Sequence, residues 1–463
     1  MTDGRALALD RLRADGASGP AVATFALQYD RLAAGATGLI HEADVAPAVP
    51  DVLLADLPDD PGQEESGRVA LDATVVITLN GGLGTSMGLS GPKSLLPVRE
   101  GLTFLDVTVR QVLALRRRLG VRLPLLLMDS FATREATLER LTAYPDLAVD
   151  DLPPDFLQSR EPKLRADDLT PVRWPADPRL EWCPPGHGDL YPSLLASGLL
   201  DRLLEAGYRQ AFVSNVDNLG AVPDPRLAAW FARSGVGYAA EVCPRTEMDR
   251  KGGHLVRRRT DGRLVLRDTA QTALEEMVHF MDAGKHPYVH TNNLWMDLAR
   301  LREMLHERGG VLELPLIRNA KTVDPTDPSS TPVVQVETAM GGAVELFDDA
   351  VSVGVTRERF VPVKTTNELL LLRSDVYEVS DETAYLLRRT VDEAPVVTLA
   401  REHYAMVDDL DARFPHGAPG LRRARRLDVA GDWTFGSGVE VVGAVTLPDE
   451  GPSRVPDGTV LTG

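Results

Sequence analysis

The sequence predicts an α/β chain built on a doubly wound mixed sheet, followed by a small C-terminal β-helix-like module. Three observations carry this expectation. Short apolar runs rich in β-branched residues alternate with stretches of helical period through the middle of the chain. Two of those runs, ending at Leu79 and at Ser214, pass directly into segments rich in Gly or Asn, as strands do when their carboxyl ends line a ligand crevice. The last stretch, Gly431 to Gly463, changes character into Val-rich pieces separated by Gly turns.

Taken in order, residues 1–70 read as an N-terminal helical segment such as PAVATFALQYDRLAAG, then the acidic, Pro-rich stretch VAPAVPDVLLADLPDDPGQEESG, a linker by composition. Residues 71–375 form the main unit. It opens with a buried strand, Ala73 to Leu79, ending in a Gly-rich segment. A helix follows from Thr103, where Thr103 and Asp106 have capping-box spacing and Leu105, Val109, Val112 and Leu113 share an apolar face. Then come a strand in LPLLLMDS, a helix in TREATLERL, and strands in QAFVSNVDN and GVGYAAEVC. Residues 376–463 hold one more helical stretch and the Val-rich repeats, which fit a β-helix or a simple meander.

Bulk composition removes several classes. The formal charge is −18, whereas a nucleic-acid partner calls for a basic stripe. No apolar run approaches the ~20 residues of a membrane helix, and the N-terminus lacks a signal-peptide layout, so the expected location is cytoplasmic, with no membrane partner. Cys183 and Cys243 follow no metal-ligand spacing and read as free thiols. Lysine is scarce, six against 44 arginines, and two of the six, Lys93 and Lys364, lie in the most distinctive motifs. A compact ammonium reaches a single phosphate oxygen where a planar guanidinium does not fit.

The segment from Leu79 to Ser94, LNGGLGTSMGLSGPKS, is Gly-rich enough for backbone N–H groups to approach an anion. Gly82, Gly84 and Gly88 miss the dinucleotide spacing, and Pro92 before Lys93 breaks the Walker A pattern. A plain flexible turn has no need of the Pro-Lys-Ser ending.

This loop resembles the signature of the UDP-glucose pyrophosphorylase family of the eukaryotic type. The resemblance continues in order through DSF at Asp129, FLQ at Phe156, WCPPGHGDLYPSL at Trp182, SNVDNLGA at Ser214, RKGGHL at Arg250, TNNLW at Thr291, NAKTVD at Asn319, VETAMGGA at Val336 and RFVPVKTTNELL at Arg359. Residues 1–70 and those beyond 380 resemble the family in layout only. The implied fold is a Rossmann-like, GT-A-like nucleotidyltransferase core. The implied reaction is in-line attack of a sugar 1-phosphate, glucose 1-phosphate favoured, on the α-phosphorus of UTP, giving UDP-glucose and pyrophosphate without a covalent intermediate. Such chemistry needs two polyanions positioned and their charge offset.

Roles follow from that chemistry together with the resemblance. Leu79, Asn80, Gly81 and Gly82 with Lys93 would hold the nucleotide, and Gly82 also the sugar phosphate. Asp217, an acid at a strand end beside Asn215 and Asn218, would bind Mg²⁺. The resemblance puts Gln158 at the uracil edge, Gly186 and Asn215 near the nucleotide, and His187 with Asn215 at the sugar phosphate. It puts Gly253, Asn293 and Glu337 around the sugar. Lys364 would bridge the incoming phosphate and the α-phosphate. Lys93, Lys364 and Asp217 are thus the expected catalytic groups.

Three rival readings stand beside this one. A UDP-sugar or UDP-N-acetylhexosamine pyrophosphorylase shares the mechanism, but the latter usually carries a different loop where Thr85-Ser86-Met87-Gly88 stands. A non-catalytic nucleotide-sugar sensor is expected to lose Lys93, Asp217 or Lys364. A nucleotide-sugar glycosyltransferase often carries Asp-x-Asp, whereas Asn218-Leu219 follows Asp217. Cys183 before Pro-Pro and the Tyr288-Val-His run before Thr291 depart from the family pattern, the latter at the edge of the sugar pocket. Assembly through the C-terminal module is a further expectation.

Overall fold

The computed structural model describes residues 4–59, 61–379 and 385–463. Its centre is an eight-stranded mixed sheet. In chain order the strands are β1 (Val52–Leu53), β2 (Thr74–Asn80), β3 (Leu125–Asp129), β4 (Asp155–Leu157), β5 (Gln210–Asn215), β6 (Tyr238–Pro244), β7 (Tyr288–Asp297) and β8 (Val351–Gly354). They lie side by side as β1-β8-β6-β7-β5-β2-β3-β4. All neighbours pair in parallel except where β7 meets β5 and β6, where the pairing is antiparallel. The central strands are buried on both faces, which is why they read as continuous apolar runs: β3 is buried at every position.

The chain leaves β2 toward β3 on one side, while β5 lies on the other. The order therefore reverses between β2 and β5, and the crevice beyond their carboxyl ends is where such sheets take ligands. The connection from β2 uses the helix Phe104–Leu119. Thr103 accepts from the Asp106 N–H, the Asp106 carboxylate accepts from the Thr103 N–H, and Gly120 ends the helix in the left-handed conformation, as the spacing predicts.

One stretch differs from the sequence reading. Residues 45–59 and 61–67 are woven into the fold: Val45–Pro47 pairs with His254–Arg258, β1 forms the edge of the central sheet, and Pro61–Asp72 is a helix. Strands of two or three residues carry no detectable period, and the acidic, Pro-rich composition masked them. Phe156 and Leu157 of the FLQ run lie in the strand β4, and Gln158 follows its end.

At the C-terminus, Val396–Leu399, Gly420–Val429, Glu440–Leu447 and Val460–Thr462 lie in parallel side by side, as do Trp433–Phe435 and Ser453–Val455. Their apolar residues share one hydrophobic cluster with Met87, Val216 and Val363, so this end packs directly beneath the loops of the crevice. Cys183 and Cys243 are free and buried. No helix among the described residues is long and apolar enough to cross a membrane.

Candidate active site

The parallel register places Asn215 opposite Leu79, so the Gly-rich loop and the Asn215-Val216-Asp217-Asn218 run leave the sheet side by side. The Val216 N–H donates to the Leu79 carbonyl at 3.3 Å. The Gly-rich loop folds back on itself, with a bridge between Leu83 and Pro92 and the Lys93 N–H donating to the Gly82 carbonyl at 3.1 Å. This return turns Lys93 toward β5. Its Nζ lies 2.5 Å from Asp217 Oδ2, and the two side chains are 18% and 17% exposed. The other carboxylate oxygen, Asp217 Oδ1, is buried without a partner. An orphaned anionic oxygen beside an ammonium fits a cation at that position. Among the described residues no cluster of three or more His, Cys, Asp or Glu side chains could hold a metal.

The chain just before Lys364 is tied to the same place through the main chain. Val363 N–H donates to the Asp217 carbonyl at 3.1 Å, and Pro362 bridges Asn218. Beneath this junction lies a buried ion pair, Arg359 to Glu241 at 2.5 Å, with side chains 11% and 0% exposed. Glu241 also accepts from Asn293 Nδ2 at 3.0 Å and Trp295 Nε1 at 3.1 Å. Asn218 donates to the Arg359 carbonyl and accepts from the Val361 N–H. With so many lone pairs and protons satisfied, the pair holds the Asp217 and Lys364 loops together. Lys364 itself is exposed, and among the described residues no ion pair engages it.

On the base side, the Gln158 amide lies against Gly81, where an added Cβ would sit 2.7 Å from Nε2. The Gln158 N–H donates to the Asp129 carbonyl at 2.8 Å. Leu79, Asn80, Gly81, Gly82, Gln158 and Asn215 are therefore one neighbourhood at the ends of β2, β3, β4 and β5.

On the opposite side two loops are laced by main-chain bonds: Thr338 N–H donates to the Pro185 carbonyl and Gly188 N–H to the Thr338 carbonyl. Gly186 has φ 80°, and a Cβ there would meet the Thr338 carbonyl oxygen at 2.4 Å, so glycine is required. This lacing brings Gly186 and His187 against Glu337. His187 Nδ1 accepts from the Met340 N–H at 3.0 Å, which leaves the ring proton on Nε2. Burial lowers the His187 pKa, so the ring is a neutral donor. Gly253 joins this side through its carbonyl, which accepts from the His290 N–H at 2.8 Å.

Asn293 is not brought to this pocket. It is fully buried, its amide committed to Glu241, Asn218 and the Arg359 carbonyl. Its neighbour Asn292 is half-buried and has φ 59°. The cause is a bulge: Ala240 pairs with Leu294 and Val242 with His290, so Glu241 stands opposite three residues of β7. Sequence reasoning also missed Glu241 and Arg359. Each lies inside a quoted segment, but their pairing across 118 positions leaves no local signal.

The family described as UDPGP, UTP--glucose-1-phosphate uridylyltransferase, matches residues 24–441. A UTP--glucose-1-phosphate uridylyltransferase from Solanum tuberosum is 39% identical over 419 residues, 89% of this chain and 84% of that protein. One from Saccharomyces cerevisiae is 38% identical over 394 residues, 84% and 77% of the two chains. Among solved structures, a UDP-glucose pyrophosphorylase from Leishmania major in complex with UDP-glucose superposes with a TM-score of 0.93 at 40% identity, covering 100% of this chain and 98% of that one.

Proposed function

The chain belongs to the UDPGP family, UTP--glucose-1-phosphate uridylyltransferase, and on that premise we propose that its active site is the crevice between the ends of β2 and β5. The chain is a nucleotidyltransferase that forms UDP-glucose from UTP and glucose 1-phosphate. The observation that carries the placement is the contact of Lys93 with Asp217 at the point where the strand order reverses.

In this reading the sugar phosphate oxygen attacks the α-phosphorus in line and pyrophosphate leaves. The backbone of Leu79, Asn80, Gly81 and Gly82 faces the nucleotide, Lys93 turns from Asp217 to the phosphates, and Gln158 reads the uracil edge. Asp217 would hold Mg²⁺, which when bound offsets phosphate charge. Lys364, tethered beside Asp217, bridges the two reacting phosphates. The neutral His187 donates from Nε2 to the sugar phosphate. Gly186 and Asn215 line the junction of the two ligands, and Gly253 and Glu337 line the sugar. Glu337 supplies acceptors to its hydroxyls.

The same reading divides the chain at 70 and 375, takes the parallel C-terminal coils as a β-helix-like module through which copies can assemble, and places the enzyme in the cytoplasm. The test is pyrophosphate release with Mg²⁺ and UTP across glucose, galactose, N-acetylglucosamine and mannose 1-phosphates, with ATP and dTTP as controls. Turnover confined to UTP and glucose 1-phosphate is expected. Broad sugar use would instead indicate a UDP-sugar pyrophosphorylase.

A further inference from the structure

Two oxygens in the base-side scaffold lack the partner that burial demands. Asn80 and Asp129 are register neighbours at the carboxyl ends of β2 and β3, 1% and 0% exposed. Asn80 Nδ2 donates to Asp129 Oδ1 at 2.6 Å and to Thr137 Oγ1 at 2.9 Å. Thr133 Oγ1 donates to the same Asp129 oxygen at 3.2 Å. The remaining oxygen of each group, Asn80 Oδ1 and Asp129 Oδ2, is buried with no partner. An isolated orphan of this kind is costly, and two on side chains already joined by a hydrogen bond ask for one explanation.

One proton supplies it. If Oδ2 carries hydrogen, the acid donates to Asn80 Oδ1 while the Asn80 amide donates to Asp129 Oδ1, closing a two-bond acid–amide ring that satisfies both orphans. The charged groups packed nearby favour the neutral form. Asp155 of β4, 4% exposed, is a second carboxylate on the neighbouring strand, ion-paired with Arg134 at 2.6 Å. Burial above all raises the Asp129 pKa, and Asp155 adds to it. The hydrogen bonds from Asn80, Thr133 and Thr137 oppose them, and the balance is about 6.

We propose that at mildly acidic pH Asp129 is held as the neutral acid, its Oδ2 proton donated to Asn80 Oδ1, and that this pair positions the base side of the active site. Asp129 connects to both walls of that side. Its carbonyl receives the Gln158 N–H, and its side chain fixes Asn80, the residue that leads into Gly81, against which the Gln158 amide lies. Asp129 is thus a positioning residue, acting through Gln158 and Gly81. This half of the inference rests on the reading of Gln158 as the uracil contact.

The folded pKa is raised, so the pair's contribution is complete below the unfolded value and is lost as pH rises through about 6. Asp129→Asn places an amide N–H where the acid O–H stands, and an amide does not titrate. In wild type, KM for UTP should rise about three- to tenfold between about pH 5.5 and pH 8, while in D129N it stays flat. Melting temperatures should diverge the same way, D129N exceeding wild type only at the higher pH. A variant that fails to fold, or KM and melting profiles that run parallel in the two proteins, overturns the proposal. Gln158→Ala, measured alongside, separates the two readings. If Q158A keeps the wild-type KM for UTP, the base contact lies elsewhere, while diverging melts of D129N and wild type still show the proton.

Discussion

The proposed nucleotide half and the proposed sugar half of the crevice are built in different ways. The nucleotide half sits on adjacent ends of parallel strands, with Leu79 opposite Asn215 and Asn80 opposite Asp129, and the sheet fixes its spacing. The sugar half has no such bed. Gly186, His187 and Glu337 meet only because two loops about 150 residues apart are joined through Pro185, Gly188 and Thr338. The contrast teaches where error enters. A phosphate group can be placed from strand order alone, whereas a sugar contact depends on loop-to-loop bonds and on a bulge in β7.

Four measurements press on that contrast. The most severe is Arg359→Met, which leaves the Glu241 carboxylate buried without its cation. Unfolding free energy should fall by ~3–5 kcal/mol in a denaturant melt. A loss under ~1 kcal/mol would show that the junction holding the Asp217 and Lys364 loops does not depend on this pair.

Next is Lys364→Ala, which should lower kcat about 100-fold or more with the melting temperature unchanged, since the side chain is exposed. Normal turnover in the folded variant places the bridging cation elsewhere. On the sugar side, His187→Leu should raise KM for glucose 1-phosphate about tenfold and leave KM for UTP nearly unmoved, the cost of one hydrogen bond to a charged group. Because burial lowers the His187 pKa, wild-type sugar affinity should show no break from this ring near the ordinary histidine range. Equal effects on both substrates would erase the proposed division.

The smallest effect belongs to Asp106, which caps the helix between β2 and β3. Burial pushes its pKa up, but Arg140, the Thr103 N–H and Tyr144 outweigh it and hold the carboxyl at about 2. The folded value is below the unfolded one, so this stabilisation is present above ~4 and is lost as pH falls toward about 2. Asp106→Asn should cost ~1 kcal/mol at neutral pH and flatten the acid limb of the stability curve. An unchanged acid limb would remove Asp106 from the account.

The gathering of the Gly-rich loop and the strand ends at the crevice was legible in the sequence because its signals are local. The glycines, Pro92 and Lys93 fall within one loop, and strand ends announced Asn215 and Asp217. Thr103 and Asp106 marked a helix start that the structure keeps. The rest was hidden for physical reasons. Strand alternation offered no warning that Thr291, Asn292 and Asn293 share a single partner residue, so Asn293 was expected in the pocket it turns away from. Glu241 and Arg359 look like ordinary surface charges until the fold closes over them. The pairing of Val45–Pro47 and β1 with distant strands left no period in an acidic, Pro-rich stretch.

The contact between Lys93 and Asp217 gives the site a property akin to a lock with two keys. A lone anion that drew Lys93 away would strand a carboxylate whose other oxygen already lacks a partner. A lone cation seated on the free Asp217 oxygen would set a second positive charge beside the ammonium with no anion to offset it. Only a visitor that brings both signs together, a polyphosphate travelling with its own metal, replaces both halves at once. With the roles proposed for Lys93 and Asp217, such a site would be tuned to coincidence in a solution crowded with simple phosphates and free cations.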